Sequence, residues 1–264
     1  MAKVIGICNS KGGVGKTTTT DAMGAGLVKM GKKVLIVDAD DSNPSLSKVH
    51  GFYDEQMTIT DLMLFTSCGR LRKEFLDEII KTTDEGVDII PNDEKLPNIT
   101  AALNASKDDT VRFGTMKQII DMLRGAYDYI LIDTAPATNT MTLNVLAAVD
   151  EVLIVSQAQD MGDAAIEVLL SNVIETKKTR NAGIQFSGLL LTMVSSLKGS
   201  QKKAQEMTDK FTGYGVKVFQ SVIPRGGSCE KFSESGKSIL GYRPFSPAAK
   251  AYRAFVREYL ESEE

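Results

Sequence analysis

The sequence predicts an α/β protein built on a doubly wound, mostly parallel sheet with helices on both faces. Two observations predict it. Short apolar runs of strand length alternate along the chain with longer stretches of helical period, and the first such pair is joined by a glycine-rich loop. Of 264 residues, 42% are hydrophobic and 25% charged, the balance of a globular protein, and Gly 22 with Pro 7 is too little for collagen or low-complexity sequence. No Ser/Pro-rich linker or internal repeat breaks the alternation, so residues 1–264 read as a single domain.

Taken in order, Lys3 to Cys8 is the first strand, and Lys16 to Met30 the first helix, with Gly31 suited to its C-terminal stop. Strands follow at Lys33 to Val37, Val87 to Ile90, Tyr129 to Ile132, Glu151 to Ser156 and Phe186 to Thr192. These are continuous Val/Ile/Leu runs, as strands buried on both faces require. Helical periods occupy Val111 to Leu123, Leu143 to Val149, Gly162 to Lys177 and Lys202 to Phe211. The last helix has the clearest start: Ser246 can cap it and Pro247 suits its first position, while Tyr252, Phe255, Val256, Tyr259 and Leu260 form one apolar stripe. Between Gly51 and Asp109 only the Val87 run stands out, and His50 reads as a surface residue after a short helix.

Composition excludes several chemistries. One His and three scattered Cys (Cys8, Cys68, Cys229), with no C-x-x-C pair, leave no zinc site and no disulfide framework, and suit a reducing compartment. A Ser-His-Asp hydrolase would have to use His50. The Val4 to Cys8 run is too short for a signal peptide, and no apolar run approaches the ~18 residues of a membrane span, so a soluble, cytoplasmic protein is expected. The net charge of −3 conceals an asymmetry: residues 1–177 carry 17 basic and 26 acidic side chains, residues 178–264 carry 14 and 8. A basic C-terminal third is one mark of a nucleic-acid or acidic-lipid surface.

The strongest signal is Ser10-Lys11-Gly12-Gly13-Val14-Gly15-Lys16-Thr17-Thr18 between the first strand and first helix. Glycines let successive backbone N–H groups turn inward around an anion, and the helix adds its positive N-terminus. Lys16 can reach β and γ phosphates, and Thr17 can ligate Mg²⁺. Position 10, where the strict phosphate-loop pattern needs Gly, is Ser, and Lys11 is an added lysine.

With that loop the chain resembles the ParA/MinD family of P-loop NTPases, which carry this deviant Walker A motif. Further segments stand in the family's order: Lys33-Val-Leu-Ile-Val-Asp-Ala-Asp40, Tyr127 to Pro136, Gly188 to Met193, Val222-Ile-Pro-Arg225 and Gly236-Lys-Ser-Ile-Leu. The subgroup it is most similar to is the short ParA/Soj proteins. The resemblance implies an ATPase that binds ATP or ADP with Mg²⁺ and forms a homodimer around ATP, with Lys11 reaching the partner's phosphates as an arginine finger does. The MinD-like alternative is an ATPase that positions a protein or membrane-associated cargo.

Asp38, Asp40 and Asp133 follow buried-looking strands, at the carboxyl edge where α/β sheets bind ligands. By resemblance, Asp133 holds Mg²⁺ through water, Asp40 positions or activates the attacking water, and Asp38 orients the segment around it. The family usually follows its second aspartate with Pro-Gln. This chain has Asp41-Ser42-Asn43-Pro44, expected to add a negative charge near the phosphates and to slow hydrolysis or alter the switch.

Resemblance to the ParA/Soj subgroup further implies non-specific binding of double-stranded DNA, nucleoid association and a ParB-like protein that stimulates hydrolysis. The candidate patch is Lys198, Lys202, Lys203, Arg225, Lys231 and Lys237, for which a solvated helix face is the plain alternative. Ser228 stands where the subgroup often has arginine. Pro224 and Arg225 fall where the family packs adenine. A MinD-like membrane helix would have a basic tail, whereas this chain ends Glu258-Tyr-Leu-Glu-Ser-Glu-Glu264, so core packing is the better reading of its last helix.

Overall fold

A computed structural model describes residues 1–158, 162–226 and 235–263, without the side chains of residues 162 and 163. Among them β1 (Lys3–Cys8), β2 (Val34–Ala39), β3 (Lys81–Thr82), β4 (Asp88–Ile90), β5 (Tyr129–Thr134), β6 (Glu151–Gln157) and β7 (Gln185–Thr192) form one sheet in the order β3-β4-β2-β5-β1-β6-β7. Every pairing is parallel except that of the short edge strand β3 with β4. The order reverses direction beside β1, where a crevice opens at the carboxyl edge.

Alternation in these continuous apolar runs divides the core in two. Val4, Leu35, Val37, Ile130, Ile132, Val152 and Ile154 face one side, and Ile5, Ile7, Val34, Ile36, Leu131, Leu153 and Val155 the other. The first side is covered by α3 (Ile59–Ser67), α4 (Lys73–Ile79), α5 (Leu96–Ala105), α6 (Asp109–Leu123), α7 (Thr140–Ala148), α8 (Gly162–Thr179) and α9 (Lys198–Gly213). The second is covered by α1 (Lys16–Lys29), α2 (Ser45–Val49), α10 (Ile239–Tyr242) and α11 (Pro247–Glu261).

The expected elements are present, and the unpatterned stretch proves to hold α3, α4, β3 and α5 as well as the expected strand. Its helices are short, and α3 is set by a capping box in which Thr58 and Asp61 satisfy each other's backbone N–H groups. Strands β2 and β5 run further than the sequence suggested, so Asp38 and Asp133 sit inside them as register partners instead of after them. His50 is also placed differently: its side chain is only 3% exposed, because Nε2 lies 2.9 Å from the buried Asp21 carboxylate of α1. Burial pulls the His50 pKa down, but the Asp21 contact more than reverses this and leaves it raised.

Helix α11 is capped by Ser246, whose Oγ accepts from the Ala249 N–H, and its stripe packs into the core with Tyr252, Phe255, Val256 and Tyr259 all buried. That apolar face is covered and leaves none for a membrane. No helix among the described residues is long and apolar enough to cross one.

Gly188 adjusts β7 to its neighbours. At φ 146°, next to a register shift opposite Val152/Leu153, it lets residues 217–219 pass so close that a Cβ would stand 2.8 Å from the Phe219 ring and 2.9 Å from the Lys217 carbonyl oxygen. Gly188→Ala is therefore expected to destabilise the fold by roughly 3 kcal/mol, seen in a thermal melt as a fall of roughly 6–12 °C.

Candidate functional site

The carboxyl edge of β1, β2 and β5 brings the loop and the three aspartates together. Loop residues 9–15 are pinned from below: Asn9 Nδ2 donates to the Val155 carbonyl (2.7 Å), the Lys11 N–H to Asn9 Oδ1 (2.9 Å), Thr192 Oγ1 to the Val14 carbonyl (2.6 Å) and Gln157 Nε2 to the Gly13 carbonyl (2.6 Å). With the Gly13 and Val14 carbonyls bound outside and the Lys11 N–H held by Asn9, the amides beyond Lys11 are left for the inside, and Gly15 at φ 93° turns the chain into α1. The resulting cleft, about 400 Å³, is lined by Gly12, Gly13, Gly15, Lys16, Thr17, Thr18, Asp40, Ser42, Asn43, Pro136 and Met193, among others. Val14 turns its side chain into the core, so only its backbone faces the loop's interior.

Lys16 is 6% exposed, with Nζ 3.3 Å from the Lys11 carbonyl oxygen. Burial lowers its pKa against the opposing pull of Asp133 and Asp40. Thr17 Oγ1 donates to Asp133 Oδ2 at 2.6 Å, and Thr20 Oγ1 lies 3.4 Å from Oδ1. Asp133 is fully buried; desolvation and the charge of Asp38 push its pKa up to about 8, despite Thr17 and Lys16. Asp38 is pushed up to about 6, chiefly by burial, although Ser47 donates to it through both N–H (2.9 Å) and hydroxyl (2.7 Å). Ionising both carboxylates is therefore under-compensated by the residues around them.

A hydroxyl and a carboxylate side by side at a helix N-terminus, short of positive charge, are donors that suit Mg²⁺, which takes hard oxygens and keeps several of its waters. Asp40 is organised differently. Its Oδ1 accepts from the Ser42 N–H (2.9 Å), the Ser42 hydroxyl and the Asn43 N–H (3.1 Å), while Asn92 Nδ2 holds its carbonyl at 2.8 Å. Between Asp40 and Ser42, which line the cleft, Asp41 sets its carboxylate against Asn139 Nδ2 at 2.8 and 3.0 Å.

Beside the loop, a smaller pocket of about 110 Å³ is lined by Gly15, Thr18, Thr192, Met193, Ile223, Pro224, Arg225, Gly226 and Tyr252. Pro224 and Arg225 thus reach the same region as the loop, through a bridge to Val194 and the Arg225 N–H to the Val194 carbonyl (3.0 Å). Met193 lines both spaces and takes φ 53°, a left-handed conformation costly for a side chain of its size. The basic residues are less gathered. Lys198, Lys202 and Lys203 share α9, where Lys202 and Lys203 lie near Glu206, whereas Lys237 is exposed on a separate segment before α10. Lys231, Ser228 and Cys229 lie outside the described residues.

Sequence reasoning missed Asn9, Gln157, Ser47, Asn92 and Asn139, the residues that hold the site's main parts. Only Asn139 carried a local signal, as an N-cap three residues before Thr142.

A family model described as "AAA domain" matches residues 2–186. The sporulation initiation inhibitor protein Soj of Bacillus subtilis is 32% identical over 260 residues, covering 98% of each chain. The chromosome-partitioning ATPase Soj of Treponema pallidum is 31% identical, again over 98% of both. Among solved structures, cobyrinic acid a,c-diamide synthase from Mycobacterium smegmatis with bound ADP and magnesium superposes with a TM-score of 0.82 at 25% identity, covering 100% of this chain and 97% of that one.

The raised carboxylates set a pH dependence for the protein without ligands. A carboxyl whose folded pKa lies above its unfolded value stabilises the fold while protonated, and that contribution is lost as pH rises through the folded pKa. Asp38 and Asp133 should therefore make the melting temperature fall between about pH 4 and pH 8. Asp133→Asn should flatten that slope and raise the pH 8 melting temperature by several degrees; a slope unchanged in the variant would contradict the assignment.

Proposed function

The chain belongs to the ParA/Soj family of chromosome-partitioning ATPases, and from this we propose that it is a Mg²⁺-dependent ATP switch that dimerises on ATP and uses non-specific DNA binding to partition DNA. The observation that carries the reading is the Lys16–Thr17–Asp133–Asp40 constellation around one loop-lined cleft. ATP lies with its phosphates in that cleft and its base toward Pro224, Arg225 and Met193. ADP occupies the same place after hydrolysis.

Each residue's task follows from its surroundings. The loop amides of Gly12 to Thr18 and the N-terminus of α1 hold the phosphate oxygens. Lys16, already desolvated, brings its charge to the β and γ phosphates, where a low-polarity setting strengthens it. Thr17 Oγ1 and Asp133 would hold Mg²⁺, Asp133 through water, and Asp38 behind it fixes the segment that carries Ser47. An ion held by these residues would supply positive charge against that of the phosphates. Asp40 keeps Oδ1 tied to Ser42 and Asn43, which leaves Oδ2 to orient the attacking water and take its proton. Lys11 supplies a positive charge to the phosphates of the other subunit, so the competent site is made by two chains. Without a stimulating protein, turnover is slow.

Lys198, Lys202, Lys203 and Arg225, together with Lys231 and Lys237, contact DNA phosphates, and a ParB-like protein is the stimulating partner. The packed, acidic-ended α11 argues against the MinD-like alternative of a membrane-associated cargo.

Lys16→Ala is expected to abolish nucleotide binding in a fluorescent-nucleotide titration. Asp40→Ala should keep ATP binding and dimerisation while its turnover falls at least about tenfold, so that the dimer persists in sedimentation; normal turnover would remove Asp40 from the mechanism. A random-sequence duplex should bind with ATP–Mg²⁺, weaken steeply between 50 and 200 mM salt and fail to bind with ADP. Binding indifferent to nucleotide, or none by an ATP dimer, would refute the DNA switch.

A further inference from the structure

We propose that Asp41 and Asn139 form a clasp that positions Asp40 for hydrolysis, an inference that rests on the ATPase reading above. Two loops meet at this point. Residues 40–44 lead from β2 to α2 and begin with Asp40; residues 135–139 lead from β5, which carries Asp133, to α7. Asn139 Nδ2 joins them, at 3.0 Å from Asp41 Oδ1 and 2.8 Å from Oδ2.

The direction of this contact is set by its surroundings. Asn139 caps α7: its Oδ1 accepts from the Thr142 N–H at 3.0 Å, so its amide hydrogens must point away from the helix. They point at Asp41, whose negative charge stands near the positive N-terminal end of α7. The loop behind Asn139 is firm, since Thr142 Oγ1 donates to the Ala137 carbonyl (2.7 Å) and Asn172 Nδ2 to Thr138 Oγ1 (3.2 Å).

Asp40 is thereby fixed on three sides. Asn92 holds its carbonyl, Ser42 and Asn43 hold its Oδ1, and the clasp holds the next residue. The first two tethers set the backbone and the carboxylate, but both come from the β2 side of the cleft. Strand pairing joins β2 to β5 as far as Ala39 and Thr134; beyond it, among the side-chain hydrogen bonds of the described residues, the clasp ties residues 40–44 to the loop that follows β5, and so keeps the water-positioning carboxylate in register with Thr17 and Asp133. A hydrogen bond to a carboxylate is among the stronger kind, and a small displacement of a positioned group costs rate far more than binding. Asp41 and Asn139 are thus positioning residues that touch neither nucleotide nor water.

The test compares Asp41→Ala, Asn139→Asp and the exchanged pair Asp41→Asn with Asn139→Asp, each with Mg²⁺ and ATP. Asn139→Asp retains a capping side chain but sets two carboxylates face to face, whereas the exchange restores an amide against a carboxylate with the roles reversed. Each single variant is expected to lower kcat about tenfold while the Kd for ADP stays within about twofold, and the exchange to recover kcat to within about threefold of the parent. Single variants that turn over at the parent rate, or an exchanged pair no faster than Asn139→Asp alone, would overturn the clasp and leave the ATPase reading standing. A parent protein that hydrolyses no ATP would instead overturn that reading and the positioning role with it.

Discussion

The structure turns on the concentration of carboxylates at one end of a parallel sheet. β2 and β5 lie side by side, and their register sets Asp38 directly opposite Asp133, both fully buried, with Asp40 just beyond. Burying two carboxylates together is unfavourable unless something positive compensates them. Among the described residues that line the cleft, Lys16 is the one cation, and burial lowers its pKa there. The fold thus tolerates a charge imbalance where a divalent cation and a phosphate chain would meet. A divalent cation held by Thr17 and Asp133 would supply the positive charge that the site lacks.

Around this imbalance runs a frame of neutral polar side chains. Asn9, Gln157 and Thr192 occupy the outward carbonyls of the phosphate loop, and Ser47 and Asn92 brace Asp38 and Asp40. Asn139 spans the gap between the two strand-end loops. None of these groups adds charge, yet together they keep loop segments that bear function from relaxing. The positive φ of Met193, held between both spaces, belongs to the same frame: the segment is constrained where ligand is expected to lie.

Much of this was legible in the chain because the governing physics is local. A strand, a glycine turn and a helix with Lys-Thr at its start are contiguous, and so are the cap and stripe of α11. The alternating apolar runs predicted the sheet and most of its strands. What escaped depends on distance along the chain. Asp38 meets Asn92, 54 residues away, and Asp21 meets His50, 29 residues away, so neither pairing leaves a periodic trace. His50 looked like a surface residue for that reason. The short helices between residues 51 and 109 escaped because a few turns bounded by caps give too brief a pattern to separate from loop.

The central claim is that the loop and the aspartates make one site, in which the nucleotide and the cation need each other. The direct measurement is calorimetric titration of ADP into the protein with Mg²⁺ present and, separately, with the metal removed by chelator. The account predicts a single site per chain whose affinity falls at least about a hundredfold without the metal. Equal affinity in both titrations, or no binding in either, would contradict it.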